Sequence, residues 1–180
     1  MGLRDPDGDG PRMRLPRPVS FIISPLGRQY AAVIQDMLKQ VGVPASIESF
    51  DPPTLLDQLR KGQFQMTTAR WVGGNQDPIF LRDLFHSANI PPNGSAFNRG
   101  RYCNYELDRI LDEAANTPPD AQRERARALY AQAQEIISRE VPMLPLWYPA
   151  NMAVARKGVN NIRIAAGGDF GFLAKVTVEQ

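Results

Sequence analysis

The chain has one cysteine and one histidine, and this scarcity limits the chemistry that it can carry out. Cys103 has no second cysteine for an internal disulfide, and neither residue belongs to a cluster of zinc ligands. A Ser/His/Asp triad would have to use His86, but no G-x-S-x-G elbow is present. One enzymatic alternative stays open, with Cys103 as nucleophile and His86 as base. The ordinary interpretation is a buried Cys103 and a packing or capping role for His86.

The sequence also lacks an excess of one charge and long apolar runs. Its 21 Lys and Arg against 19 Asp and Glu form no basic stripe, which argues against a nucleic-acid partner. No run is long enough to span a membrane, and no apolar signal-peptide region follows Met1. This predicts either a cytoplasmic protein or a piece of a longer chain. The 180 residues suffice for one sizeable globular domain or two small ones, and we expect no cofactor.

The stretch "DPDGDG" matches the opening of a calcium loop. Counted from Asp5, however, the ninth and twelfth positions are Met13 and Pro16, which supply no side-chain oxygen. We therefore interpret residues 1–18 as an opening turn and linker. A calcium-stabilised module remains the alternative, and its candidate ligands are Asp5, Asp7 and Asp9.

The first part of the chain predicts a strand–helix–strand unit. Residues 19–23 are apolar and β-branched, as in a buried strand. Apolar side chains from Tyr30 to Val41 then recur every three or four positions, and Gly42 is a suitable helix stop. Residues 43–50 read as a second strand. This order favours an α/β fold with a sheet flanked by helices.

The same signals continue along the chain. We expect a helix over 54–62, a strand over 64–71 and a short helix over 79–87. Asn104 is a suitable N-cap for the next helix.

Towards the end of the chain, Thr117-Pro118-Pro119-Asp120 reads as the start of another helix. Prolines keep residues 141–148 extended. Residues 151–155 and 172–178 are predicted strands.

The residues suit ligand binding better than catalysis. Trp71 and the glycine-containing loop after it follow a predicted strand, and ligands of open α/β sheets bind beyond the carboxyl ends of the strands. Trp147 and Tyr148 offer a second aromatic surface. Core packing for Trp71, and a turn or helix start for Asp77-Pro78, are the structural alternatives. The candidate ligand-binding residues are Arg70, Trp71, Gly73, Gly74, Asn75, Asp77, Asn98, Arg101 and Tyr148.

Four segments, in order and over nearly the whole chain, resemble the C-terminal lobe of the family 5 extracellular solute-binding proteins, which serve bacterial ABC importers of oligopeptides, dipeptides and nickel. They are "GLRDPDGDG", "AAVIQDMLKQVGVPASIES", "GQFQMTTARWVGGNQDP" and "FNRGRYCNYELDRILDEAANTPPDAQRERARALYAQAQEIISREVPMLPLWY". The resemblance implies a periplasmic-binding-protein type II-like lobe over residues 19–180, with a mixed sheet, and an N-terminal lobe absent from this chain.

The family resemblance also implies a function. We expect a non-enzymatic, periplasmic or extracellular, membrane-associated receptor that passes a peptide or another small solute to a permease and is a monomer at full length. The isolated lobe should bind weakly, because half of the cleft is missing. In peptide receptors of the family, an Asp three residues after the Trp pairs with the peptide's amino terminus; here that position is Gly74. This puts recognition of an ordinary free peptide in doubt and leaves a sugar, an N-blocked peptide, a metal chelate or another solute as alternatives.

Overall fold

The computed structural model describes residues 15–71, 77–118, 120, 122–148, 150–165 and 168–179. The chain divides into two compact units. Unit 1 comprises Met1–Arg70 and Ala88–Arg101, and unit 2 comprises Trp71–Ser87 and Tyr102–Gln180. A single lobe over residues 19–180 stays a prediction.

Unit 1 is built on a parallel sheet of three strands in the order β2-β1-β3. The strands are β1 Val19–Ile23, β2 Ala45–Ser49 and β3 Met66–Thr67. Phe21 lies opposite Ile47 on one side and Met66 on the other. The buried side chains of Phe21, Ile23 and Ala31 form the core of this unit, which confirms the predicted strand–helix–strand unit.

The two helices of unit 1 end where the sequence indicates. Helix α1, Arg28–Gln40, is followed by Gly42 at φ 76°. Helix α2, Pro52–Lys61, ends at Gly62, whose φ of 72° is left-handed and favours glycine. Its start was predicted two residues late, because the Asp51 side chain accepts from Thr54 N at 3.2 Å and caps the helix ahead of two prolines.

Strand β3 is much shorter than the predicted 64–71. It pairs with β1 at two positions only, through Met66 and Thr67. Just before it, the Gln65 side chain, not a strand carbonyl, accepts from Ser20 N at 2.8 Å. A side chain thus takes the place of the backbone ladder at this edge, and sequence periodicity cannot foresee such a replacement.

Unit 2 is mainly helical. Its helices are α3 Phe80–Phe85, α4 Tyr105–Ala115 and α5 Arg123–Glu140. Helices α4 and α5 pack through buried aliphatic side chains: Leu107, Ile110, Leu111 and Ala114 from α4, and Leu129, Ala133 and Ile136 from α5. The predicted N-cap of α4 is confirmed, since Asn104 Oδ1 accepts from Glu106 N and Leu107 N at 3.0 and 3.1 Å.

The predicted start of α5 at residues 117–120 is wrong. Thr117 Oγ1 donates to the Glu113 carbonyl at 2.8 Å, so it serves the C-terminal end of α4. Helix α5 begins at Arg123, with Gln122 at the N-cap position. A threonine hydroxyl can satisfy either end of a helix, and local sequence does not decide between them.

The last part of unit 2 departs from its predicted strands. Residues 141–148 are non-helical, as predicted, but residues 151–155 form no strand, and Val154 is 99% exposed. Residues 172–178 divide between a 3₁₀ helix, Gly171–Lys175, and the short strand β5, Thr177–Val178. β5 pairs antiparallel with β4, Val159–Asn160, which the sequence did not reveal. Strands need partners, and residues 151–155 have none within the described chain.

Candidate functional site

Trp71 and Asp77 frame the loop that the sequence singles out. The half-buried Trp71 ring meets Phe80 edge-on, with centroids 6.2 Å apart. Asp77 Oδ1 accepts from Ile79 N at 2.9 Å, and the Asp77 carbonyl accepts from Phe80 N at 3.2 Å. These bonds form the turn that starts α3, so the helix-start alternative for Asp77-Pro78 matches the geometry. Gly73, Gly74 and Asn75 lie outside the described residues.

Asp77 also lines a groove of about 1110 Å³ in unit 2, beside α4 and α5. Its wall includes Tyr130 of α5, a residue that the sequence did not single out. Burial, and secondly the negative charge of Asp77, raise the pKa of Tyr130. The groove combines an aromatic ring and alanines with charged groups. The charged lining residues are Asp77, Arg123, Arg127, Glu135 and Arg139.

His86 is a buried residue held by α4. Its side chain is 8% exposed; Nδ1 lies 3.8 Å from Asp108 Oδ1, and Nε2 lies 3.3 Å from Asp112 Oδ2. Asp108 also accepts hydrogen bonds from Ser87 N, at 2.9 Å, and from Ser87 Oγ. The sequence analysis missed this pair of carboxylates, although Asp108 and Asp112 are four residues apart and therefore share a helix face. The packing role expected for His86 agrees with these contacts.

The pKa of Asp112 is lowered by its neighbours. Burial alone would raise this pKa, but the hydrogen bond and charge of Arg82, together with the nearby His86 ring, outweigh it. Arg82 reaches the carboxylate from α3, with Nη2 2.8 Å from Asp112 Oδ1. The arrangement links α3 to α4 and fixes the residues that follow the candidate ligand loop.

Cys103 does not fit the expected buried position. It is exposed in the extended segment just before the N-cap of α4, because the apolar face of that helix begins only at Leu107. Within the described ranges no cluster of three or more His, Cys, Asp or Glu could hold a metal ion. The calcium candidates Asp5, Asp7 and Asp9 lie outside those ranges.

Two of the candidates in unit 1 share a turn, in which Arg101 N donates to the Asn98 carbonyl at 3.2 Å. Asn98 is 2% exposed, and its N–H donates to the Asn89 carbonyl at 3.2 Å. Arg101 Nη2 donates to the Arg60 carbonyl at 3.1 Å, at the C-terminal end of α2. That end leads to the start of β3, whereas Arg70 follows the end of β3. In unit 2, Tyr148 is 99% exposed. The assignment of these residues to a ligand site stays a prediction.

Comparison with known proteins defines the class of protein first. No family model matches the chain. DppA from Helicobacter pylori, solved in complex with the peptide STSA, superposes with a TM-score of 0.60 at 28% identity, over 69% of this chain and 24% of that one. HbpA2 from Haemophilus parasuis superposes with a TM-score of 0.67 at 25% identity, over 90% of this chain and 32% of that one. The fold is that of a type II periplasmic binding protein, which confirms the predicted fold class.

The curated relatives narrow the class to a family. Di/tripeptide-binding protein 2 of Pseudomonas aeruginosa (strain UCBPP-PA14) is 30% identical over 135 residues, which is 75% of this chain and 24% of that protein. The chain is a homologue of the family 5 extracellular solute-binding proteins, and its partial coverage fits a fragment from their C-terminal lobe. It spans about a quarter of the length of the curated relatives that it matches.

Proposed function

We propose that this chain is the C-terminal part of the substrate-binding component of an ABC-type importer. In the whole protein it supplies one wall of a cleft that closes on a peptide or another small solute. The solute is then delivered to a membrane permease, and the receptor works as a monomer in the periplasm or at the outer face of the membrane. No described helix is both long and apolar enough to cross a membrane.

One observation carries this proposal: the similarity to a di/tripeptide-binding protein extends over 75% of the chain. It includes the strand that leads to Trp71 and the helices that follow. Trp71 is half-buried, and its ring packs edge-on against that of Phe80. A fixed aromatic side chain offers contact area at a small cost in side-chain entropy.

We infer that the chain is not an enzyme. The relatives are named as binding proteins. The one histidine faces Asp108 and Asp112 of α4, while Cys103 is exposed. A nucleophile needs a base within hydrogen-bond reach, and the contacts of His86 with α4 favour a structural role for it.

Titration of the chain with peptide ligands, monitored by NMR, tests the proposal. The probes are the dipeptide Ala-Ala and its N-acetyl derivative at millimolar concentrations, because one lobe binds weakly. We expect saturable shifts of the Trp71 indole signal with at least one probe, and roughly tenfold weaker binding for Trp71→Leu, through loss of aromatic contact. Phe170→Ala, which removes another aromatic ring of unit 2, is the matched control.

Equal affinities for Trp71→Leu and the unaltered chain would rule out Trp71 as part of the binding wall. Failure of both probes to shift any signal would count against a peptide as the solute. Circular dichroism of each variant separates loss of binding from loss of fold.

A further inference from the structure

Another pocket of unit 2 lies where the β4–β5 ladder ends. It has a volume of about 510 Å³. Its lining residues are Asn161, Arg163, Gly171, Phe172 and Lys175. Two of these side chains are cations and none is a carboxylate, so the lining is positively charged at neutral pH.

The strand pairing explains why the two cations share this pocket. Asn160 of β4 lies opposite Thr177 of β5 in an antiparallel ladder. Arg163 follows Asn160 by three positions and Lys175 precedes Thr177 by two, so both side chains leave the ladder at the same end. Asn161 Nδ2 donates to Thr177 Oγ1 at 3.3 Å, which keeps the two segments together at that end. The ladder thus delivers both cations to one cavity.

The 3₁₀ helix Gly171–Lys175 adds an aromatic ring to the same wall. Side chains three residues apart in a 3₁₀ helix lie above one another, so Phe172 and Lys175 share a face. Phe172 is half-buried, whereas Lys175 is exposed. The wall therefore combines an apolar surface with a cation next to it.

The two cations of the pocket are not neutralised by ion pairs. Within the part of the chain that the structure describes, neither Arg163 nor Lys175 forms a salt bridge. Asp169 adjoins the wall without lining the pocket, and its Oδ1 accepts from Gly171 N at 2.8 Å. A cleft lined by charges of one sign concentrates ions of the opposite sign.

We propose that this pocket binds a small organic oxyanion, with its phosphate or carboxylate group held by Arg163 and Lys175 and its apolar body against Phe172. A guanidinium binds either group through paired N–H donors, and an ammonium adds a point charge. The volume lies in the range of roughly 300–1,000 Å³ that is usual for small-molecule sites. Neither Trp71 nor the loop after it takes part, so the site does not depend on the proposed receptor function.

Titration of the chain with phenyl phosphate, benzoate and inorganic phosphate at constant ionic strength, monitored by NMR, tests the site. We expect saturable shifts of the Gly171 and Phe172 amide signals with at least one aromatic anion, and the tighter of the two identifies the oxyanion group. Arg163→Gln should weaken that binding about tenfold, because a charge-assisted hydrogen bond is lost.

Two further variants separate the parts of the site. Phe172→Leu keeps an apolar side chain but loses the ring, so it should weaken the binding of phenyl phosphate severalfold and leave that of inorganic phosphate unchanged. Asp169→Asn keeps an oxygen that can accept from Gly171 N and removes the negative charge beside the wall, so it should tighten the binding of each anion.

Lys157→Gln removes an exposed cation that precedes β4 and does not line the pocket, and it is the matched control. Equal losses of affinity in Lys157→Gln and Arg163→Gln would reflect diffuse charge and overturn the proposal. So would the absence of saturable binding of either aromatic anion to a chain whose thermal unfolding shows it to be folded. The Trp71 titration uses other probes and another signal, so the two proposals fail separately.

Discussion

Tyr102 shows how one side chain fastens two helices. Its hydroxyl donates to Glu140 Oε2 at 2.6 Å, and Asn104 Nδ2 donates to Glu140 Oε1 at 3.0 Å. The start of α4 is thereby tied to the last residue of α5. Burial, and secondly the hydrogen bond to Glu140, raise the pKa of Tyr102 to about 12, above its ordinary value of 10.0.

Glu140→Gln should lower the pKa of Tyr102 from about 12, because the negative charge is lost while the burial remains. The value should stay above 10.0, the ordinary value. Absorbance of the phenolate during a pH titration measures the change, and Tyr102→Phe identifies the signal. An unchanged pKa in Glu140→Gln would mean that burial alone accounts for it.

The raised pKa of Tyr102 also determines how its contribution to the stability of the fold changes with pH. A group that binds its proton more tightly in the folded chain stabilises the fold fully below its unfolded pKa. The contribution of Tyr102 is therefore complete below pH 10 and is lost as the pH rises through about 12. Thermal unfolding of Tyr102→Phe should accordingly lie closer to that of the unaltered chain at high pH than at neutral pH.

At the scale of elements, the N-cap of α4 is a defined source of stability. Asn104 Oδ1 accepts from the N–H groups of Glu106 and Leu107. Asn104→Ala should lower the free energy of unfolding by about 1 kcal/mol, because two helix donors lose their acceptor. Urea unfolding measures the change.

Asn104→Asp is the matched variant, since it retains an acceptor oxygen and places a negative charge at the N-terminus of α4. It loses the Nδ2 bond to Glu140 and gains repulsion from that carboxylate. A stability of Asn104→Asp between those of the unaltered chain and Asn104→Ala is expected. Equal losses of unfolding free energy in both variants would show that Asn104 stabilises the chain through its bond to Glu140 and not through the helix cap.

The elements that the sequence predicts well are those with local signals. Helix α1, helix α4 and strands β1 and β2 follow from apolar periodicity, the Asn104 cap and Gly42. The errors arise where a hydrogen-bond partner that is distant in the sequence, or one that competes with the expected partner, determines the local structure. Gln65 replaces part of the β3 ladder, and Thr117 bonds backwards to α4. Residues 151–155 were predicted as a strand but meet no strand within the described chain.

For the whole molecule, the class of protein was more predictable than its site. Motif order along the chain indicated the family, because it sums many weak local signals. The site depends on which side chains the folded chain brings together. Arg101, for example, reaches the Arg60 carbonyl at the end of α2 from 41 positions along the chain. Tyr130 and Asp77 line the same groove although they are 53 positions apart in the chain. No local sequence pattern indicates that they share it.

The identity of residue 74 should decide which peptides the receptor accepts. Gly74→Asp places a carboxylate three residues after Trp71, the position at which the family resemblance implies a charge-assisted bond with a peptide ammonium. Such a bond is worth roughly 1.5–3 kcal/mol, so we expect Ala-Ala to bind at least about tenfold more tightly than to the unaltered chain. N-acetyl-Ala-Ala has no ammonium group and should gain nothing. Asn75→Asp adds the same charge one residue further on and should leave the ratio of the two affinities unchanged. If Gly74→Asp strengthens both peptides equally, or neither, residue 74 does not face the amino terminus of the ligand.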